Sequence, residues 1–318
     1  MTVERIAKAR RRDWQGRTTW ATTAPDPHLS QPMTAALLAL AAATALGCGH
    51  VLTQFGLRHV HPLSGAAISI PTFSLVFLAA SPFLLQGDAI NWRAVPIFAA
   101  VGLVFPALLT ILTFASNRAL GPVVTGALGN LAPLFSVLLA VVILNEPLGA
   151  LQLLGLVVIV SGVVFINVSR THEFGNWRTW ALLLPLSATA MRGVIPPVIK
   201  IGLEIWPNPL AAALTGYIFS TLTVMTLERV RNGRFIVAAS WRGWFWFGLN
   251  GIFNGVGTLL LYAALGAGPV TLVAPLYASS PIVTLIAAAI VLRQFKVSAR
   301  LAVGTVLTVA GVVLILVG

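Results

Sequence analysis

Of 318 residues, 58% are hydrophobic and 9% charged, with a mean hydropathy of +0.92. Soluble domains carry about 25% charged residues, so a cytosolic enzyme, a nucleic-acid binder and a secreted disulfide scaffold are excluded together. The net charge of +12 sits in an N-terminal tail and in short breaks between apolar runs, where lipid headgroups account for it better than nucleic acid does.

Residues 1–32 contain Arg10-Arg11-Arg12 and little that could be buried, so a disordered basic tail is expected there. Met33 stands directly before the first apolar run and offers an alternative start of translation. Ten apolar runs follow, over 33–57, 62–86, 94–115, 121–143, 149–168, 178–203, 208–228, 242–263, 268–292 and 299–317. A helix needs about 20 residues to cross the hydrocarbon core. In lipid only helices and closed barrels satisfy their own backbone groups. Runs this long, rich in Leu and Ala and without two-residue alternation, predict helices.

All nine tryptophans lie in the tail or near predicted helix ends, Trp92, Trp206 and Trp241 among them. That is the headgroup level which Trp prefers. The single cysteine, Cys48, has no partner for an internal disulfide, and ordinary helix packing accounts for it. The five histidines are scattered. No zinc spacing or other metal set is present, and no cofactor is expected.

The two halves repeat. Gly121-Pro122-Val123 opens a run containing Ala132-Pro133-Leu134, and Gly268-Pro269-Val270 opens one containing Ser280-Pro281-Ile282. In the runs that follow, Gly155 and Gly162 are seven apart, as are Gly304 and Gly311, each pair followed by Val-Val. Ten helices thus divide into repeats over 33–168 and 178–317. An odd number of spans per repeat forces the second copy to enter the membrane upside down. The expected fold is an all-α integral membrane protein of ten transmembrane helices in two inverted five-helix repeats, a plan shared by many secondary transporters.

The Gly-Pro-Val start, the mid-helix proline, Leu144-Asn145-Glu146-Pro147-Leu148, Gln152 and the Gly155–Gly162 pair resemble the EamA-type repeat of the drug/metabolite transporter superfamily. The resemblance runs from residue 33 to the end. It implies a central cavity lined chiefly by the first, third and fourth helices of each half. The family's loop glutamate matches Glu146, whereas the second copy has Gln294 near that place. A family lysine late in the first helix of a repeat matches Lys200, and Gln54 stands near that place in the first half.

Arg192, near the middle of the sixth run, is the most informative residue. A charge at mid-bilayer costs about 2.5–3.5 kcal/mol on insertion scales. It is expected to face a wet cavity and hold an anionic substrate group; the competing reading is a structural bond to carbonyls freed by Pro196 and Pro197. Lys200 is either a second substrate cation or half of an i, i+4 ion pair with Glu204. His50 and Gln54, also four apart, share a face; His50 could relay a proton or simply hydrogen-bond between helices. Asn250, Asn254 and Thr258 form a polar stripe that suits a cavity lining and interhelical glue equally well. Asn130 before Pro133, and Ser279-Ser280 before Pro281, could line a site or satisfy the proline breaks.

No Asp or Glu falls in the middle of a run, which disfavours a cation/proton antiporter of the small multidrug type. Intramembrane enzymes need a carboxylate pair, an H-E-x-x-H metal set or an activated serine. None occurs, and neither does a nucleotide-binding loop. The expected function is secondary transport of a small organic metabolite bearing an anionic or carboxylate group, in the inner membrane of a bacterium; a non-transporting scaffold is the alternative. Expected partners are the bilayer and a small-molecule substrate, with no nucleic acid, and pairing into a homodimer stays open. Breaks after odd-numbered runs hold eleven Lys and Arg, while the opposite side has Arg93 and six in the tail, which leaves the orientation open.

Overall fold

A computed structural model describes residues 31–85, 90–109, 128–168, 182–292 and 299–317, together with Leu112, Ser116 and Thr125. The basic tail, the Gly121-Pro122 start of the fourth run and Gln294 lie outside the described residues. The first half contains α1 (Gln31–Gly56), α2 (Pro62–Leu84), α3 (Val95–Leu103), α4 (Ala132–Leu144) and α5 (Ala150–Val168). The second contains α6 (Leu183–Ile205), α7 (Pro209–Asn232), α8 (Trp241–Ala267), α9 (Val270–Tyr277), α10 (Ser280–Leu292) and α11 (Ala299–Val317). Because α9 and α10 are two pieces of one crossing, these eleven helices make ten spans.

Local chemistry sets the helix ends. Pro62 and Pro209 occupy first-turn positions, where a missing N–H costs nothing. The Asn208 side chain accepts from Ala211 N at 2.9 Å, and Ser240 Oγ accepts from Gly243 N at 3.3 Å. Gly233, at φ +71°, ends α7 in the left-handed conformation that favours glycine. That end lies a turn beyond the predicted boundary at 228. The extra turn buries Glu228, whose carboxylate accepts from Ser64 Oγ at 3.0 Å and from Asn232 Nδ2 at 2.6 Å.

The third span is interrupted. Phe105 leaves helical geometry (φ −109°, ψ 123°) just before Pro106, which cannot supply the amide that would bond the Gly102 carbonyl. A neighbour compensates: the buried Ser220 hydroxyl on α7 lies 3.1 Å from Gly102 O and 2.9 Å from Phe105 O.

Helix contacts repeat between the halves. The pairs α5–α11 and α2–α7 join equivalent elements, and α4 on α9 joins the equivalent fourth and ninth spans. Among unlike pairs, α3 on α7 mirrors α2 on α8, and α6 on α4 mirrors α1 on α10. This is the pattern of a pseudo-two-fold axis between two inverted repeats. Glycines permit the close crossing of α5 and α11. A Cβ on Gly155 would fall 2.7 Å from the Gly311 carbonyl oxygen, and one on Gly311 would fall 2.7 Å from the Gly155 carbonyl. A Cβ on Gly162 would meet Gly304 O at 2.9 Å. Lipid tails are as apolar as leucine, so small residues that bring backbones together supply dispersion contact where the hydrophobic effect supplies little.

Candidate functional site

The two proline breaks have the same construction. In the first half, Leu131 N bonds Leu128 O at 3.0 Å and Leu134 N bonds Leu131 O at 3.0 Å. In the second, Ser279 N bonds Leu276 O at 3.1 Å and Ile282 N bonds Ser279 O at 2.9 Å. Each break is a tight turn from which a new helix starts with proline in its first turn. Proline also removes the amide that a carbonyl four residues earlier would have bonded. The carbonyls so deprived belong to Gly129 and Tyr277.

Arg192 lies beside the first of these residues. Its Nη1 is 3.7 Å from the position a Cβ on Gly129 would take, and Tyr277 is within electrostatic reach of the guanidinium. Neighbouring residues fix α6 in this place. Thr189 Oγ1 lies 3.2 Å from Leu128 O and 2.6 Å from Pro185 O. At Gly193 a Cβ would fall 2.5 Å from Phe135 Cβ and 2.8 Å from Ala132 O, so the α6 backbone rests on the start of α4. The Arg192 side chain is exposed, on a stretch of α6 whose neighbouring residues pack on α4. Among the described residues it makes no hydrogen bond and no ion pair. The structural alternative, a bond to carbonyls freed by Pro196 and Pro197, is therefore not what holds it.

His50 on α1 faces the same space, within electrostatic reach of Arg192, and its Nδ1 is 3.4 Å from Thr284 Oγ1 on α10. Gln54 follows one turn later on α1 and is exposed. Asn130 stands at the first break; its Nδ2 is buried without a hydrogen-bond partner. Buried donors are nearly always paired, so an orphan of this kind calls for an explanation. Ser280 stands at the second break and offers its carbonyl to Thr284 Oγ1 at 3.0 Å. Arg192, His50, Asn130 and Ser280 thus gather around the paired breaks, with Gln54 at the margin.

Other candidates make hydrogen bonds within the framework. Lys200 stands eight residues past Arg192, about 12 Å along the helix, and donates to Leu265 O and Gly268 O at 2.8 Å each. It caps the carbonyl end of α8, and no ion pair with Glu204 forms within 4 Å among the described residues. Asn250 Oδ1 accepts from Thr53 Oγ1 at 3.2 Å and from Asn254 Nδ2. Asn254 packs on Gly49, where a Cβ would be 3.0 Å away, and Thr258 receives the Tyr217 hydroxyl at 3.3 Å. The α8 stripe therefore joins α8 to α1 and α7. Ser279 turns its hydroxyl back onto Leu276 O at 2.6 Å, so it satisfies the break.

Gly129, Tyr277 and Thr284 were not singled out by sequence. For the first two the signal existed, since each stands four residues before a mid-span proline. Nothing local marked Thr284, which matters only because α10 packs on α1. Among the described residues no three His, Cys, Asp or Glu side chains gather as a metal site.

Paired interrupted helices, an unpartnered mid-span cation and inverted halves are the marks of a solute-carrying integral membrane protein. Residues 33–168 and 179–317 both match the EamA-like transporter family. The chain belongs to that family, and so is a multi-pass membrane transporter of small molecules. No curated protein matches it. A solved structure described only as "Crystal structure of protein" superposes with a TM-score of 0.72 over 88% of this chain and 95% of its own, at 19% identity, a likeness of fold.

Proposed function

We propose that this transporter moves a small organic solute bearing an anionic group, a carboxylate in particular, by alternating access between its repeats in a bacterial inner membrane. The observation that carries the reading is Arg192, a permanently charged guanidinium among helices with neither acid nor hydrogen-bond partner among the described residues. Holding such a charge at bilayer depth costs about 2.5–3.5 kcal/mol, and an anion bound there would offset that cost. The orphan Asn130 Nδ2 would supply a second donor, and the Gly129 and Tyr277 carbonyls would accept from a hydroxyl or amine on the same solute. The breaks before Pro133 and Pro281 suit the role of equivalent hinges, so that the two repeats could exchange conformations and open the site to opposite sides in turn.

The test is uptake into proteoliposomes across a panel of organic anions and cations. A charge-assisted hydrogen bond contributes about 1.5–3 kcal/mol, so Arg192→Ala is expected to raise KM for the transported anion at least ten-fold, with Arg192→Lys recovering part of it. Unchanged uptake of every transported anion by the alanine variant would overturn the reading.

A further inference from the structure

The end of α1 and the start of α8 form a cleft of about 330 Å³, which Arg192 does not line; its walls are Arg58, His59, Arg242 and aromatic rings. We infer that it binds the phosphate headgroup of an anionic phospholipid. Both arginines are exposed, and among the described residues neither has a carboxylate partner. Arg58 is held in place by its Cζ lying 5.2 Å above the Phe55 ring, a cation–π contact that orders the guanidinium without neutralising it. Two unneutralised guanidiniums lining one cleft suit the oxygens of a phosphate, which each can grip in bidentate fashion.

The aromatic wall selects a lipid over free phosphate. Phe55 stacks on Trp246 with ring centroids 5.0 Å apart, and Phe245 meets Trp246 edge-on at 5.2 Å. Trp241 and Phe245 remain 72% and 51% exposed, so the outer wall offers apolar surface to the bilayer. Inorganic phosphate has nothing to place against these rings. A phospholipid has its glycerol backbone and the tops of its acyl chains. The cleft lies where a helix leaves the membrane and another enters it, the depth at which indole rings and headgroups meet.

Native mass spectrometry of the full chain in detergent tests this directly. Offered equimolar phosphatidylglycerol and phosphatidylcholine, the wild-type protein should retain one phosphatidylglycerol preferentially, a result that needs no variant. In Arg58→Gln/Arg242→Gln the affinity of that adduct should fall about ten-fold or more, since each basic residue near a headgroup contributes substantially. Arg58→Lys/Arg242→Lys should keep most of it, and Arg93→Gln, at the opposite membrane face, should change nothing. Equal retention of the two lipids, an adduct indifferent to the glutamine pair, or displacement of the lipid by millimolar inorganic phosphate would each overturn the proposal.

Discussion

The Glu146 carboxylate accepts the amide of Val270 at 2.8 Å, and its second oxygen accepts that of Thr271 at 2.8 Å. A loop of the first repeat thereby caps the first turn of a helix in the second. Asn145, at φ 52°, turns the chain so that the carboxylate reaches that helix. Opposite signs meet within one elbow: Lys200 covers the carbonyl end of α8, and Glu146 covers the amide end of α9. Each charge complements the helix end that it faces.

Glu146→Ala should therefore destabilise the protein by about 1–2 kcal/mol, the range for a lost charged cap. Glu146→Gln should recover part of this, because its one oxygen can still accept a single amide. Thermal unfolding of the detergent-solubilised chain reads both. A melting temperature unmoved by the alanine change would show that the cap contributes nothing.

Lys200→Met separates capping from substrate binding. Loss of the two carbonyl contacts should cost about 1 kcal/mol and lower the melting temperature. KM for the transported solute should stay within about two-fold, because Lys200 and Arg192 are about 12 Å apart along α6. A KM rise as large as that of Arg192→Ala would instead place Lys200 in the binding site.

Ser220→Ala removes the only hydroxyl among the described residues that serves the Gly102 and Phe105 carbonyls at the α3 break. In water-soluble proteins an orphaned carbonyl costs about 1–3 kcal/mol. Within a bilayer measured interhelical hydrogen bonds average about 0.6 kcal/mol, because the unfolded reference also finds partners. The expected loss is accordingly about 1 kcal/mol, read by chemical or thermal unfolding, with Ser220→Thr retaining the bond.

Gly155→Val tests the crossing of α5 and α11. A side chain there must displace the Gly311 carbonyl or Ile315, whose Cγ1 would be 2.7 Å from the new Cβ. Overpacking of this kind costs about 1–3 kcal/mol. Lower yield of folded protein and an earlier thermal transition are expected, while Gly248→Ala, with nothing within 4 Å of its Cβ position, should behave as wild type.

Span number, the five-plus-five division and the two proline breaks were all legible in the sequence. A bilayer leaves the chain few ways to satisfy its backbone, and an odd repeat has only one way to re-enter the membrane. Arg192 could be singled out on the same ground, since a lone charge in an apolar run has few innocent explanations. Where the reading ran out is equally physical. Lys200 and the Asn250–Asn254 stripe had the same credentials as His50 and Asn130, because helical spacing says which residues share a face and not which helix that face meets. Packing of α8 on α1 gave the stripe partners on a neighbouring helix, and the elbow between α8 and α9 gave Lys200 two carbonyls. Only tertiary structure could bring Arg192, His50 and Tyr277 around one space, for these residues come from three helices that are distant in sequence.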